Sequence, residues 1–412
     1  MEESIWFVNK DCAPIEEYGT HIRTVKLAQY FQTKGYDVKV VCSARVHNSD
    51  INHIEKGLYM EEVFDGVPFL FVNSMAYKDS GLKRILAYIK FAYNVFRLRR
   101  KFKHPSVVVH TSRIPFDFFV YYFAKRVKSK YIIDVTDLWP RNFATVGLIS
   151  HGNIIMKFLY WLEKHFYKKA DHVVFTMEGY KEYLKEKKWD KENGGPIDLQ
   201  KTHYVNNGID LQEIDNNLTE YKIEDSDLED NSVFKVIYLG SIRKANNLGL
   251  LIDAAKELQK YPNIKILVYG DGPDRAPLEK RVVDEGISNV LFKQKWIELQ
   301  YVPYVLSKAA INLLNYSKGW GRYGGSMNKM MMSFASGKPI VCNAGMRYSP
   351  IRDHNLGIDR YFPSSKEYAE AILEIYNLPK DEYEAMCHRT REIANEFDMP
   401  VLCKKFEDYC EL

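Results

Sequence analysis

Gly240, Ser241, Arg243 and Lys244 bring two small residues and two cations together within five positions of this 412-residue chain. They directly follow an apolar run and precede an amphipathic one. Small residues let the backbone approach a ligand, cations neutralise it, and the N-terminus of a helix attracts negative charge. The segment therefore predicts a diphosphate-binding loop, and the alternative is a solvated basic loop.

A second glycine-rich segment carries another cation. Gly325, Ser326, Asn328 and Lys329 come before a short helical run, a glycine stop and a buried-strand pattern. Free backbone amides at the start of that helix, together with Lys329, could hold phosphate. The methionines at positions 330–332 favour core packing over a site.

A carboxylate with a neighbouring aromatic ends another strand pattern. In the run Asp134-Val135-Thr136-Asp137-Leu138-Trp139-Pro140, Asp137 could orient a sugar hydroxyl or stabilise positive charge in a glycosyl transition state. The alternative is an aspartate that caps the following turn.

Two further glycine turns give weaker signals. Gly19 follows the first strand pattern and lets backbone approach a ligand, and Gly272 lies in a Gly-Asp-Gly-Pro turn. Both are also compatible with ordinary strand–helix turns. Neither turn has the GxGxxG spacing with a following acidic residue that favours a nicotinamide oxidoreductase.

The elements that position these loops form two βαβ series, which predict an α/β fold with two parallel sheets. The first series has predicted strands at 5–8, 38–42, 68–72, 107–110, 131–135 and 172–176. The second has predicted strands at 235–239, 264–269, 289–292, 310–314 and 339–342. Between them, the Asp/Glu/Asn-rich stretch 211–232 is interpreted as a surface segment near a domain boundary. From about residue 365 the chain is predicted to be helical.

Composition narrows the functional classes. A net charge of +4 is too small to argue for a nucleic-acid partner. Six scattered cysteines without a CxxC pair or zinc spacing are typical of reduced thiols in a cytosolic protein. The acidic start does not resemble a signal peptide, and no apolar run approaches the length of a membrane span.

One helical pattern, at 82–103, is strongly basic. Apolar residues recur at helical spacing, and no Asp or Glu occurs between Asp79 and Asp117. A basic amphipathic helix with aromatics indicates an anionic membrane surface. The alternative is a helix packed on the sheet with a solvated basic end. The cations assigned to membrane or acceptor contact are Lys83, Arg84, Lys90, Arg97, Arg99 and Arg100.

In their order and spacing these segments resemble glycosyltransferase family 4, which contains retaining enzymes of the GT-B fold. The branch they look most like makes bacterial capsule and O-antigen polysaccharides. The likeness runs over nearly the whole chain. Its most specific pieces are the segments 134–140, 170–174, 206–210, 270–273, 326–329 and 335–339.

The resemblance implies two Rossmann-like domains facing across a cleft. Residues 1–205 would form the acceptor domain and residues 206–396 the nucleotide-sugar donor domain. Residues 397–412 would be a helix that crosses back to the N-terminal domain. The expected partners are a nucleotide diphosphate sugar and a glycan or polyprenyl-diphosphate-linked acceptor, and the family needs no metal or other cofactor.

The resemblance also implies roles for individual residues. Asp137, with His110 as a second candidate, would face the reacting sugar. Trp296 and Ile297 would hold the base through the backbone. The remaining donor-binding residues would be Gly19, Gly240, Ser241, Arg243, Lys244, Gly272, Gly325, Ser326, Asn328 and Lys329.

One departure from the family pattern separates two hypotheses. The family usually carries two acidic residues, eight positions apart, around the second glycine-rich loop, and here those positions are Gly324 and Met332. In the same loop Met327 stands where the family has a proline. The first hypothesis is an active retaining hexosyltransferase at the cytoplasmic face of the membrane. The second is a degenerate GT-B protein that acts as a non-catalytic partner subunit.

Overall fold

The computed structural model describes residues 3–15, 22–47, 49–77, 82–111, 113, 116–145, 149–316 and 321–412. The chain divides into two compact units. The first contains residues 1–206 and 402–412, and the second contains residues 207–401. Each unit is organised around its own sheet.

The first unit contains an eight-stranded sheet in the order β3-β4-β2-β1-β5-β6-β7-β8. All neighbouring strands are parallel except the antiparallel pair β3 and β4. Its strands are β1 (Ser4–Val8), β2 (Asp37–Ser43), β3 (Tyr59–Phe64), β4 (Val67–Val72), β5 (Val107–Thr111), β6 (Lys130–Val135), β7 (His172–Phe175) and β8 (Thr202–Tyr204). Its helices are α1 (Ile22–Thr33), α2 (Leu82–Leu98), α3 (Phe119–Val127), α4 (Arg141–Thr145), α5 (Ile154–Lys169) and α6 (Tyr180–Glu186).

The second unit contains a fully parallel six-stranded sheet in the order β11-β10-β9-β12-β13-β14. Its strands are β9 (Phe234–Leu239), β10 (Ile264–Tyr269), β11 (Val290–Phe292), β12 (Ile311–Leu314), β13 (Ile340–Cys342) and β14 (Gly357–Asp359). Its helices are α7 (Leu211–Glu220), α8 (Ser226–Glu229), α9 (Leu248–Leu258), α10 (Arg275–Asp284), α11 (Val302–Ser307), α12 (Asn328–Ala335), α13 (Pro350–Asp353), α14 (Ser365–Tyr376) and α15 (Lys380–Ile393). The terminal helix α16 (Met399–Cys410) begins in the second unit and ends in the first.

The central strands form because they are short apolar runs that both faces of the sheet can bury. All five residues of β1 are buried, and so are four of the six residues of β9. Strands covered on both faces lose the apolar–polar alternation of a half-exposed sheet, which is why continuous apolar runs located them in the sequence.

Three strands have no counterpart among the predicted ones. These are β3, β8 and β14. In β3 the residues are half-buried or exposed, because the strand adds to the sheet edge as an antiparallel hairpin with β4. The other two have three residues each and are defined by pairing with β7 and β13. Pairing partners, rather than local pattern, decide such strands.

The stretch 211–232, interpreted as a surface segment near a domain boundary, begins just after the division between the two units and is mostly exposed or half-buried, but its two helices were not predicted. The stretch contains α7 and α8, which are capped by Asp210 and Asp225. Leu211, Ile214 and Leu228 of these helices are buried. A few apolar residues in a strongly acidic stretch are enough to bury a helix when strong N-caps define its start.

The change of connection direction falls at one point in each sheet. In the first unit it lies between β1 and β5, and in the second between β9 and β12. Loops on either side of such a point diverge and leave a crevice, in which α/β proteins bind their ligands. The loops after β1 and β5 and those after β9 and β12 are therefore the places where each unit can hold a ligand.

Candidate functional site

The loop after β9 and the start of α12 bring two cations together in the second unit. Lys329 lies over the ring of Tyr238, with its Nζ 5.1 Å from the ring centroid and 3.4 Å from the Tyr238 hydroxyl. Its ammonium group passes so close to Gly240 that a Cβ at that position would collide with it. Gly240 has φ of 149°, a conformation in which other residues are strained. The glycine predicted as donor-binding therefore makes room for the lysine.

Burial and, second to it, the charge of Arg243 together lower the pKa of Lys329 to about 8. Within the part of the chain that the structure describes, neither Arg243 nor Lys329 forms a salt bridge with a carboxylate. Two neighbouring cations without a counter-ion destabilise each other, and a bound anion would relieve this repulsion.

Two further groups at this place lack hydrogen-bond partners. The hydroxyl Oγ of Ser326 is buried and bonds to nothing among the described residues. The helix α12 begins at Asn328 without a side-chain cap, so amides of its first turn are available to a ligand. We call Arg243, Ser326, Lys329 and the N-terminus of α12 the anion site. Its chemistry fits a phosphate or diphosphate group.

The predicted loop around Asn328 is held in place within the second unit. The side-chain amide of Asn207 donates hydrogen bonds to the carbonyl of Ser326 and to Oδ1 of Asn328, each at 3.3 Å. Asn207 belongs to the Asn-Asn-Gly segment after the first unit, which sequence reasoning used only as a family marker. The structure assigns it the positioning of the anion-site loop.

Other predicted donor residues lie near the anion site with different roles. Ser241 donates its hydroxyl to Asn246 at 3.2 Å, and its carbonyl accepts from Tyr238 at 2.7 Å. A Cβ at Gly272 would collide with the carbonyl of Ile242, so this glycine brings two loops together. Lys244 is exposed and lines an adjacent cavity of about 280 Å³ with Asp274.

The two residues of the turn predicted to bind the base, Trp296 and Ile297, differ in their exposure to solvent. The Trp296 side chain is 79% exposed, whereas Ile297 is half-buried against an apolar cluster that includes Tyr304. The amide of Gly270 donates to the carbonyl of Gln294 at 2.9 Å, which fixes this turn next to the loop after β10. Gly325 is half-buried in the loop that leads to α12.

No Asp or Glu within residues 321–336 takes the place of the two acidic residues that the family has at positions 324 and 332. Gly324 has φ of 89°, and Met332 is half-buried against a cluster of apolar residues that includes Met331 and Phe334. Met332 therefore contributes to packing on the helix that forms part of the anion site.

In the first unit, a polar cluster follows β1, β5 and β6. Asp11 is 3% exposed; it accepts hydrogen bonds from Lys10 at 3.0 Å and from the Tyr88 hydroxyl. Arg113 approaches Asp11 to 3.7 Å and pairs with Asp137 at 3.0 Å. We call Lys10, Asp11, Tyr88, Arg113 and Asp137 the polar cluster.

Charge compensation dominates the polar cluster. Burial alone would raise the pKa of Asp11, but the positive charges of Lys10 and Arg113 overcome it and hold that pKa well below its usual range. Asp137 is the most accessible member, with a side chain 45% exposed. Its carboxylate also accepts from Asn142 at 3.3 Å. The cluster can therefore present one oriented carboxylate to a ligand.

Sequence reasoning found Asp137 but missed its partners. The run Asn9-Lys10-Asp11 directly follows the first strand, so the rule used for the other loops would have found Lys10 and Asp11. The same rule applies to Arg113, which lies two residues after β5. Only the pairing of β5 with β1 and β6, however, shows that Arg113 meets Asp11 and Asp137.

His110, the second residue predicted to face the reacting sugar, is buried in the first unit. Its side chain is 2% exposed, and both ring nitrogens are engaged, Nδ1 with the Tyr131 hydroxyl at 2.8 Å and Nε2 with Asp117 at 2.9 Å. Asp117 in turn accepts from the backbone amide of Arg113 at 2.8 Å. His110 is thus a positioning residue for the loop that carries Arg113. Gly19 lies outside the described residues.

The basic helix predicted at 82–103 is α2, which ends at Leu98. Its periodic apolar positions do not form the buried face: Leu82, Leu86 and Tyr93 are 71%, 42% and 48% exposed. The buried face consists of other residues of the helix, namely Ala87, Tyr88, Phe91, Ala92, Asn94, Val95 and Leu98. Among the six assigned cations Lys83, Lys90, Arg97 and Arg100 are exposed, while Arg84 and Arg99 are half-buried.

The described parts of the chain contain neither a candidate membrane span nor a candidate metal site. No helix there is both long and apolar enough to cross a bilayer. No group of three or more His, Cys, Asp or Glu side chains is arranged to hold a metal ion.

Comparisons with known proteins agree with the fold. The crystal structure of HepE from Anabaena in complex with UDP-glucose matches with a TM-score of 0.65 and 14% identity, over 99% of both chains. The structure of WaaG, a glycosyltransferase involved in lipopolysaccharide biosynthesis, matches with a TM-score of 0.65 and 13% identity, over 98% of both chains.

The relatives found by sequence match a smaller part of the chain than these structures do. A glycosyltransferase of Methanocaldococcus jannaschii is 24% identical over 271 residues, which are 63% of this chain and 61% of the relative. The chain spans less than two thirds of the curated relatives that it matches.

Two family models match successive parts of the chain. The first, described as a glycosyl transferase 4-like domain, matches residues 18–194. The second, described as glycosyl transferases group 1, matches residues 233–377. With both models matched in order and the fold shared over nearly full length, this chain belongs to the family-4-like glycosyltransferases, which have the GT-B fold of two Rossmann-like domains.

Proposed function

We propose that this protein is a retaining hexosyltransferase that uses a nucleotide diphosphate sugar as its donor. The acceptor is a glycan or a polyprenyl-diphosphate-linked sugar of a surface polysaccharide, at the cytoplasmic face of the membrane. The observation that carries the proposal is the anion site: Arg243 and Lys329 have no carboxylate partner among the described residues, and Ser326 has an unused buried hydroxyl.

The anion site acts on the leaving group. When the bond between the sugar C1 and the diphosphate oxygen breaks, negative charge develops on that oxygen. Two cations and the amides at the start of α12 stabilise this charge most when it is largest, which lowers the barrier. The new bond from the acceptor oxygen to C1 forms on the same face, and the acceptor proton passes to the departing diphosphate. No metal or organic cofactor is required in this scheme.

The polar cluster is proposed to take the acceptor. Asp137, oriented by Arg113 at 3.0 Å, can accept a hydrogen bond from a sugar hydroxyl. The peripheral location is supported by α2, whose exposed side carries Leu82, Leu86 and Tyr93 next to Lys83 and Lys90.

A screen of nucleotide sugars for donor hydrolysis, with wild type and Arg243→Ala, tests the proposal. Removal of one charge-assisted contact is expected to lower turnover with the active donor about 10- to 100-fold. The matched control is Lys366→Ala, which removes an exposed lysine of α14. Equal turnover of Arg243→Ala and wild type would contradict the role given to Arg243.

The second candidate function is a non-catalytic partner subunit, favoured by Gly324 and Met332 where the family usually has acids. Thermal shift measurements with UDP, GDP and their sugars separate the two, because a ligand that binds only the folded state raises its stability. If no nucleotide raises the melting temperature of wild type, the partner-subunit function is supported and the transferase proposal fails.

A further inference from the structure

Helix α5 (Ile154–Lys169) has apolar side chains on both sides. Toward the first unit it buries Met156, Leu159, Tyr160, Phe166 and Tyr167. On the opposite side, Ile154 is 80%, Ile155 55%, Phe158 56% and Trp161 54% exposed. An ordinary surface helix carries polar residues there. The outward stripe is therefore not explained by the packing of the first unit.

The exposed rings of α5 are ordered along the helix. Phe158 stacks on Trp161 with ring centroids 5.9 Å apart, and Trp161 stacks on His165 at 5.8 Å. Lys157, Lys164 and Lys168 lie beside this stripe, since helical positions advance by about 100° per residue. Lys157 and Lys168 are exposed, and Lys164 is half-buried.

Helices α2 and α3 extend the same surface. The ring of Tyr93 in α2 lies 5.4 Å from that of Phe119 in α3, and the ring of Tyr121 in α3 lies 5.4 Å from that of Phe166 in α5. The three helices are thus neighbours in the order α2, α3, α5. Tyr122 of α3 is 48% exposed and adds a further aromatic to the outer side.

The charges of this three-helix surface have one sign. The only acidic residue within α2, α3 and α5 is Glu163, which is fully buried and accepts a hydrogen bond from Tyr183. The ten basic residues of the same helices are Lys83, Arg84, Lys90, Arg97, Lys125, Arg126, Lys157, Lys164, Lys168 and Lys169. A second copy of this surface would bring like charges together, whereas an anionic surface would complement them.

We propose that α5 is an interfacial helix, which inserts Phe158 and Trp161 between the lipids of an anionic membrane while its lysines contact the headgroup phosphates. Aromatic rings and lysine stems favour the boundary between headgroups and acyl chains. The inference rests on the peripheral location proposed above for α2. It goes beyond that location by assigning the apolar anchoring to a different helix.

Co-sedimentation of the full chain with vesicles tests the apolar part. The vesicles contain equal amounts of phosphatidylglycerol and phosphatidylcholine, or phosphatidylcholine alone. Wild type is expected to bind the anionic vesicles at low salt. The partition coefficient of Phe158→Ser/Trp161→Ser is expected to be lower by a factor of about ten or more. The matched control is Val283→Ser, which removes an apolar side chain that is 78% exposed on α10 and should bind like wild type.

A second arm tests the charges and the depth. Lys157→Gln/Lys164→Gln/Lys168→Gln is expected to lower partitioning about 10- to 100-fold at low salt, and Lys366→Gln to leave it unchanged. Trp161 emission, obtained as the difference between wild type and Trp161→Phe, should shift to the blue on anionic vesicles and be quenched by brominated acyl chains. Trp161 is 54% exposed and Trp161→Phe keeps an aromatic ring there, so this measurement needs only a conservative surface substitution.

The outcomes separate this inference from the proposed function. It is overturned if wild type does not bind anionic vesicles, or if Phe158→Ser/Trp161→Ser binds like wild type. A loss of binding in Lys83→Gln/Lys90→Gln/Arg97→Gln alone would retain the role of α2 and reject that of α5. Self-association that is abolished by Phe158→Ser/Trp161→Ser, without vesicle binding, would assign the stripe to a second copy. Vesicle binding as expected, with no nucleotide-induced thermal shift, would reject the transferase function alone.

Discussion

The polar cluster of the first unit and the anion site of the second occupy equivalent places in their own sheets but differ in their charges. Lys10 and Arg113 face Asp11 and Asp137 at 3.0–3.7 Å, so the polar cluster neutralises itself. In the anion site, by contrast, no carboxylate among the described residues pairs with Arg243 or Lys329. A self-neutralised cluster stabilises the fold and can orient a neutral hydroxyl. Unpaired cations cost stability and are useful only when an anion binds.

The largest expected effect comes from breaking the balance in the polar cluster. Asp11→Asn leaves the buried Lys10 without its charge partner and should lower the free energy of unfolding by about 3–5 kcal/mol. Asp137→Asn is the matched control: its side chain is 45% exposed, and the expected loss is below about 1 kcal/mol. Urea unfolding of both variants measures the difference. Equal losses would mean that Asp11 is not the residue that balances the cluster.

In the anion site, removal of a charge is expected to change the free energy of unfolding in the opposite direction. Lys329→Met should weaken nucleotide diphosphate binding about 10- to 100-fold, because a charge-assisted contact contributes about 1.5–3 kcal/mol. The free energy of unfolding should stay the same or rise, since the variant removes a half-buried cation that pairs with no carboxylate among the described residues. Titration calorimetry and urea unfolding give the two values, with Lys366→Met as the control. A variant that loses stability as strongly as Asp11→Asn would remove the contrast between the two sites.

The smallest effect is a pH dependence of nucleotide binding. The pKa of Lys329 is lowered to about 8 in the free protein, and a bound diphosphate would raise it. The contribution of the ammonium group to affinity is therefore complete below pH 8 and is lost progressively between pH 8 and the higher pKa that Lys329 has in the complex. We expect the affinity for nucleotide diphosphate to fall by up to about tenfold between pH 7.5 and 9.5. In Lys329→Met this decrease should be absent, and its persistence would assign the titration to another group.

Local patterns were sufficient for the central strands and for the loops that follow them. Small residues and cations that lie within a few positions of each other can be recognised from the sequence alone, which is why Gly240, Arg243 and Lys329 were predicted. The resemblance to family 4, carried by those loops in order, gave the fold and the family. Edge strands such as β3 and the capped helix α7 escaped, because their stability comes from pairing and from a few buried contacts rather than from a periodic pattern.

The sequence by itself determined two α/β halves and a basic helix in the first, and it predicted a diphosphate-binding loop in the second. Only the tertiary structure decided which charges are compensated. It pairs Arg113 with Asp11 and Asp137 across separate strands and saturates both nitrogens of His110. It also turns the apolar stripes of α2 and α5 outward. Periodicity shows that a helix has an apolar face, but the partner elements decide whether that face is buried, and those contacts connect residues far apart in the chain.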